Sequence, residues 1–355
     1  MKNNKKHIVF LTPGFPKSEK DTITIPALFV YINAFKEAFS KTYDITIISF
    51  QYPFSKKKYQ WNEIDIIPLN GGNKKSKKIS TWFLAYNTLM SLHKKEPIEC
   101  IHSFWLGECS FIGQIFTSKN KIPHILTLMG QEGRKKTIFK NFINNSKTTI
   151  ISLSENQSKI IQKKLNYTSQ VIPWFINTNE FPNIEPKSID ILGVGSLNYV
   201  KNYDAFISII FQLKNLYPKI NAEILGEGDL HRELQYKIDR LGLRENIKLL
   251  GLMPRKKVLE KMSCSNILLH TSIYESFGYV FLEALFSGMR IVSNDVGISR
   301  ESEEWKVCTD ETEMIQACSY YMKLPKIKQR ITLYNKEDCL VPYQKLYSNV
   351  IKNIQ

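Results

Sequence analysis

Apolar positions along the chain come in short runs, most of them followed by a turn and then by a stretch with helical spacing. Residues 7–12, 45–50, 99–104, 125–129, 149–153 and 170–172 read as strands of a first half. Residues 189–194, 221–225, 247–250, 267–269 and 289–293 read as strands of a second. Several are nearly continuous in Val, Ile and Leu, as expected of parallel strands covered on both faces. Between them, residues 25–39, with Pro26 in the first turn, residues 79–92 and residues 279–287, stopped by Gly288, carry apolar side chains at helical spacing. Residues 337–354 predict a closing helix, and residues 51–80 read as a polar connection containing Gly71-Gly72 and two lysine runs. Such strand–helix alternation predicts doubly wound α/β sheets, and 355 residues suit two domains better than one core.

Composition narrows the class. With 43% hydrophobic residues and five Trp the chain is globular, and no apolar run approaches a membrane span. The start reads as a strand ending at Pro13 rather than a signal peptide, which predicts a cytoplasmic protein. Cys100, Cys109, Cys264, Cys308, Cys318 and Cys339 are scattered, with neither C-x-x-C nor histidines at zinc spacing, so buried free thiols are expected. The net charge of +16 is concentrated early: residues 1–95 hold sixteen Lys against six acidic residues. Lysine without arginine suits diffuse attraction to an anionic surface or substrate better than base readout, so no nucleic-acid partner is expected. A genome rich in Lys, Asn and Ile codons would produce the same bias. Lys74 to Lys78, followed by Trp82, Phe83 and Tyr86 at helical spacing, makes residues 74–95 a candidate for an anionic membrane surface or a lipid-linked acceptor. The same stripe would also serve as an ordinary core face.

The stretch 266–295 carries the most chemistry. A strand is followed by the polar segment 271–276, then by a helix opening after Gly278, and a helix start at the carboxyl edge of a parallel sheet suits an anion. Glu275, Phe277, Gly278, Glu283, Ala284 and Gly288 together spell E-x-F-G-x4-E-A-x3-G. This resembles the E-x7-E signature of retaining GT-B glycosyltransferases of family GT4. Gly195 to Asn202 resembles the family's G-R-L-x3-K-G, with Lys201 matching and Ser196 in place of Arg. Residues 173–181 resemble the interdomain I-P-N-G-V-D-x-x-x-F, with Phe175 and Asn177 replacing Gly and Asp. His102 and the segment Gly130-Gln131-Glu132 stand where the family has H-x-H and T-x-H-G-x-D, and only the first His is kept.

What the resemblance implies is a GT-B fold, two doubly wound Rossmann-like domains facing a central cleft. Residues 1–172 would form an acceptor-binding domain, 173–187 a linker and 188–336 the nucleotide-sugar domain, with the helix of residues 337–355 returning to the first. Glu275, with the amides of Phe277 and Gly278, would hold the transferred sugar, and Glu283 the ribose hydroxyls. Lys201, with the amides of Tyr279 and Val280, would stabilise the departing diphosphate. Gly14, Ser196 and Gly226 would lie along the donor, Leu252 and Met253 against its base, and His102 would be catalytic on the acceptor side. A UDP- or GDP-sugar donor, no metal, and a glycan or lipid-linked saccharide acceptor in bacterial surface polysaccharide or lipopolysaccharide synthesis complete the expectation, with the chain cytoplasmic or peripheral on the inner membrane face. Two other readings stay open: a sugar-nucleotide epimerase on the same fold, and a non-catalytic polyanion or lipid-surface binder derived from the enzyme.

Overall fold

The computed structural model describes residues 5–21, 24–130, 132–133 and 137–352. Gln131 and Ile354, which enter two of the expectations above, lie outside the described residues. Contacts divide the chain into two compact units, Met1–Phe175 with Asn335–Gln355, and Ile176–Tyr334.

In unit 1 the elements run β1 (Lys6–Gly14), α1 (Pro26–Phe39), β2 (Tyr43–Tyr52), β3 (Tyr59–Trp61), β4 (Ile64–Pro68), α2 (Lys78–Lys95), β5 (Ile98–Phe104), α3 (Glu108–Asn120), β6 (His124–Thr127), β7 (Thr148–Ser152), α4 (Glu155–Leu165) and β8 (Gln170–Val171). They build one sheet in the order β3-β4-β2-β1-β5-β6-β7-β8. All its pairings are parallel except that of β3 with β4. The polar connection expected over residues 51–80 therefore hides two strands. The overlooked signal is Ile64, Ile66 and Ile67, all buried, with Trp61 fully buried at the hairpin; a five-residue strand among lysines is easily read as loop. On one face, Ala85 and Leu89 of α2 and Ile112 and Phe116 of α3 pack on Val9, Leu11, Ile48 and Ile101.

Unit 2 runs β9 (Ile189–Val194), α5 (Tyr203–Leu216), β10 (Ala222–Leu225), α6 (His231–Arg240), β11 (Ile247–Leu249), α7 (Arg255–Ser263), β12 (Ser265–His270), α8 (Tyr279–Phe286), β13 (Arg290–Asn294), β14 (Trp305–Cys308) and α9 (Glu311–Lys323). Its six strands are ordered β11-β10-β9-β12-β13-β14 and all parallel. Order reverses between β9 and β12, so the loops after these two strands flank the crevice where doubly wound sheets take ligands. Phe206, Ile210 and Leu213 of α5 close one face over Ile191, Ile224 and Ile267.

The last helix, α10 (Lys336–Lys352), belongs to unit 1. It buries Cys339, Tyr343 and Tyr347 completely, each aromatic contributing on the order of 1.5–3 kcal/mol. The Tyr343 ring lies 4.9 Å from that of Tyr31, which stacks on Trp174 at 5.1 Å. His102 is consumed by this packing. Its Nδ1 is 2.5 Å from the Tyr347 hydroxyl and its Nε2 2.7 Å from Thr127 Oγ1, with no solvent exposure. Burial, with His124 nearby, holds its pKa well below the usual histidine value, so it is neutral. The catalytic role expected for His102 is therefore corrected to that of a core hydrogen-bonder.

Candidate functional site at the carboxyl edge of unit 2

Three successive loops on this edge brace one another. The Gly195 amide donates to Leu225 O, the Gly226 amide to Gly251 O and the Leu197 amide to Glu227 O, each at 2.9 Å. Gly226 sits at φ +145°, and a Cβ there would come within 1.9 Å of Gly195 O, so only glycine lets the first two loops touch. This bracing sets exposed Ser196 on the first loop, and Leu252, 60% exposed, and Met253 on the third.

The loop after β12 is tied to the loop after β9. Ile273 N donates to Val200 O at 2.9 Å, and Thr271 Oγ1 to Lys201 O at 3.0 Å. Side chains repeat the link, for Lys201 Nζ lies 2.5 Å from Glu275 Oε1 and His270 Nε2 lies 3.0 Å from the same oxygen. A carboxylate only accepts, so His270 carries its proton on Nε2. Burial alone would raise the Glu275 pKa, but Lys201 and His270 outweigh it and hold the carboxyl well below its usual range. Burial keeps His270 neutral. The result is an ionised carboxylate and a lysine held at the switch point.

Helix α8 opens beside this pair. Gly278 is its N-cap at φ +83° without a side-chain cap, and a Cβ would meet Phe281 Cε2 at 2.4 Å. Phe277 is buried, while Tyr279 and Val280 form the first turn. Glu283, one turn on, is buried among apolar neighbours, and its partner is one the sequence pattern did not suggest. Arg255 Nη1 reaches Glu283 Oε1 at 2.5 Å, Arg255 Nε reaches Glu180 Oε2 at 2.6 Å, and the guanidinium lies 5.9 Å from the Tyr279 ring centroid. Burial opposes the charge, but Glu283, Tyr279 and Glu180 raise the Arg255 pKa further above its ordinary value. Arg255 Nη2 is buried without a hydrogen-bond partner. A signal was available: Arg255 opens α7, where the dipole disfavours a cation, so it needed a reason to be there.

The structure thus brings Lys201, Glu275, Gly278 and Glu283 to one edge with Ser196, Gly226, Leu252, Met253, Phe277, Tyr279 and Val280, and adds His270 and Arg255. It leaves His102 and Gly14 in unit 1. Gly14 is the last residue of β1, paired with Tyr52, where a Cβ would make ordinary contacts at 3.6 Å and beyond. The strand expected to end at Pro13 thus continues through Gly14. Among the described residues no group of three His, Cys, Asp or Glu is placed to hold a metal, and no helix is long and apolar enough to cross a membrane.

Residues 176–331 match the family described as Glycosyl transferases group 1. One of the subunits of human phosphatidylinositol N-acetylglucosaminyltransferase is 31% identical over 151 residues, which are 41% of this chain and 31% of that protein. The chain thus spans about a third of that relative's length. Sucrose-phosphate synthase from Thermosynechococcus elongatus is similar in structure, with a TM-score of 0.71 and 14% identity over 99% of this chain and 94% of that one. The Anabaena protein HepE, solved with UDP and glucose, gives a TM-score of 0.65 and 15% identity over 98% of this chain and 96% of that one. Residues 176–331 are a glycosyl transferases group 1 domain, in a chain whose two Rossmann-like units have the GT-B fold.

Proposed function

We propose that the chain is a retaining glycosyltransferase that moves a sugar from a UDP- or GDP-sugar to a glycan or lipid-linked saccharide, in surface polysaccharide or lipopolysaccharide assembly of a bacterium, on the inner face of its membrane. The observation that carries this is the Lys201–Glu275 pair at the start of α8, inside the group 1 domain. A leaving diphosphate develops negative charge while the sugar becomes oxocarbenium-like. Lys201 and the positive end of α8 face the first need, and ionised Glu275, held by His270, faces the second. Donor binding draws Lys201 onto phosphate and leaves Glu275 to the sugar hydroxyls. Glu283, oriented by Arg255, takes the ribose hydroxyls. With these charges in place the reaction we assign calls for no metal. HepE, crystallised with UDP and glucose, supports the donor class, and the name of the human relative supports a lipid-borne acceptor.

Calorimetry with UDP, GDP, UDP-glucose, UDP-N-acetylglucosamine and GDP-mannose tests the reading. One nucleotide family should bind in the micromolar range, weakened at least tenfold in Glu283→Gln, a loss of about 1.4 kcal/mol. Equal binding of every compound by wild type and variant would refute the donor site. Turnover of donor with no acceptor present would point to an epimerase instead.

A further inference from the structure

Unit 1 has a cavity of about 350 Å³ at the carboxyl edge of its own sheet, between the ends of β1, β2 and β5, where the strand order reverses. Buried Phe50 and Phe104 line it together with Trp105 and Phe139. Among the described residues Glu108 is its one acidic side chain, already held by Gln51 Nε2 at 2.9 Å and by Lys78 Nζ at 3.9 Å. Lys74 and Lys75 are exposed on the wall, so the cavity carries a surplus of positive charge. Lys78 Nζ also lies 5.2 Å from the Trp82 ring centroid and 5.3 Å from that of Phe139.

An exposed apolar rim adjoins these lysines. Ile79 and Phe83 stand at i and i+4 on the outer face of α2, 78% and 68% exposed. Ile138 and Phe142 are 65% and 51% exposed on the turn that carries Phe139. The two patches are joined through rings: Trp82 lies 6.1 Å from Phe139 and 5.0 Å from Phe111, which lies 4.9 Å from Phe142. Core packing does not account for this face. Thr81, Ala85 and Leu89 supply the buried side of α2, so Ile79 and Phe83 are surplus to it. Large apolar side chains bordered by lysines match a bilayer whose surface is anionic, the chains entering the acyl boundary and the ammonium groups meeting lipid phosphates.

We propose that this face of unit 1 docks on an anionic lipid bilayer, with Ile79, Phe83, Ile138 and Phe142 inserted and Lys74, Lys75 and Lys78 on phosphates. The cavity mouth is then held against the membrane, and the acceptor it takes is a bilayer-borne phosphate ester. The purpose assigned to the docking rests on the transferase reading; the binding itself does not.

Vesicle flotation on the full chain separates the two. Wild type should float with phosphatidylcholine vesicles containing phosphatidylglycerol and not with phosphatidylcholine alone. The pairs Lys74→Glu/Lys75→Glu and Ile79→Ser/Phe83→Ser, all exposed positions, should each lower the partition coefficient about tenfold or more, whereas Lys163→Glu/Lys164→Glu on α4 should not change it. Photo-crosslinking with a diazirine-bearing phosphatidylglycerol should label residues 73–83 and 137–142. Binding of UDP and of GDP, measured on the same samples, should be the same in all three variants as in wild type. Failure of wild type to float, equal loss in the α4 pair, no loss in the apolar pair, or labelling elsewhere would each overturn the docking face. Any of these with binding of UDP or GDP intact leaves the donor reading standing, and floating with neither nucleotide bound does the reverse.

Discussion

Both units are wound around a largely parallel sheet, eight-stranded in unit 1 and six-stranded in unit 2, and they handle charge differently at the carboxyl edge. In unit 2 the charges at the switch point are paired and largely buried: Lys201 with Glu275, and Arg255 with Glu283 and Glu180. In unit 1 the polar groups beneath the edge are neutral histidines locked to hydroxyls, and the charges are exposed lysines beside a cavity. A buried pair fixes geometry before a ligand arrives, and its members gain from exchanging one partner for another. An exposed lysine attracts anions over a Debye length and specifies little. Such a contrast suits one edge that must stabilise charge developing at a fixed atom and another that must gather a ligand from a surface.

Turnover should show the largest effect. Lys201→Ala should lower kcat by about 10²–10³-fold, the cost of removing one preorganised charge-stabilising group, and should also lower stability, because the largely buried Glu275 carboxylate keeps only His270 as a partner. His102→Phe should leave kcat within a few-fold while lowering the unfolding midpoint, because Tyr347 and Thr127 lose a buried partner. Steady-state kinetics and thermal unfolding on both variants decide it. Lost turnover at full stability in His102→Phe would restore a catalytic histidine to unit 1.

Next in size is the buried cation of unit 2. Arg255→Met should destabilise by about 3–5 kcal/mol, since Glu283 and Glu180 would be left without their guanidinium in a site where Arg255 and Glu283 are about one-tenth exposed or less. Adding Glu283→Leu should recover much of that loss, whereas it should further destabilise a protein in which the two residues act independently. Denaturant unfolding of the two single variants and the double variant measures the coupling.

What could be read in advance follows the same divide. The arrangement of residues at the edge of unit 2 was legible because the glycine turns, Lys201 and the two glutamates sit at spacings that a strand–loop–helix unit dictates. Arg255 was missed because its partners, Glu180 and Glu283, lie 75 and 28 residues away in the chain and only packing joins them. Unit 1 was legible as strands and helices but not as a site. The hairpin of β3 and β4 is short and surrounded by lysines, and His102 looked like a strand-end group because nothing local reveals that α10, some 240 residues on, closes over it. Contacts of that range are invisible to periodicity.

The smallest effect is a slope. His124 is fully buried, with Nε2 2.9 Å from Ser103 Oγ, and burial pulls its pKa from 6.5 down to about 3. Between those values the unfolded chain holds a proton at this site that the folded chain does not, so stability is full above pH 6.5 and falls as the pH falls. Well below pH 6.5 the loss approaches about 1.4 kcal/mol per pH unit for each such histidine. Burial lowers His7 and His102 in unit 1 in the same sense, and His270 in unit 2. Unit 1 should therefore be the acid-sensitive half from pH 6.5 downward. His124→Gln separates proton linkage from packing, because lost contacts shift stability equally at every pH whereas a removed titration changes the slope alone. Urea unfolding at pH 7, 6 and 5 should show the variant less stable at pH 7 but losing less with each step down. A variant parallel to wild type across that range would mean that His124 takes up its proton in the folded protein as readily as in the unfolded chain, so that the core of unit 1 accepts charge below pH 6.5.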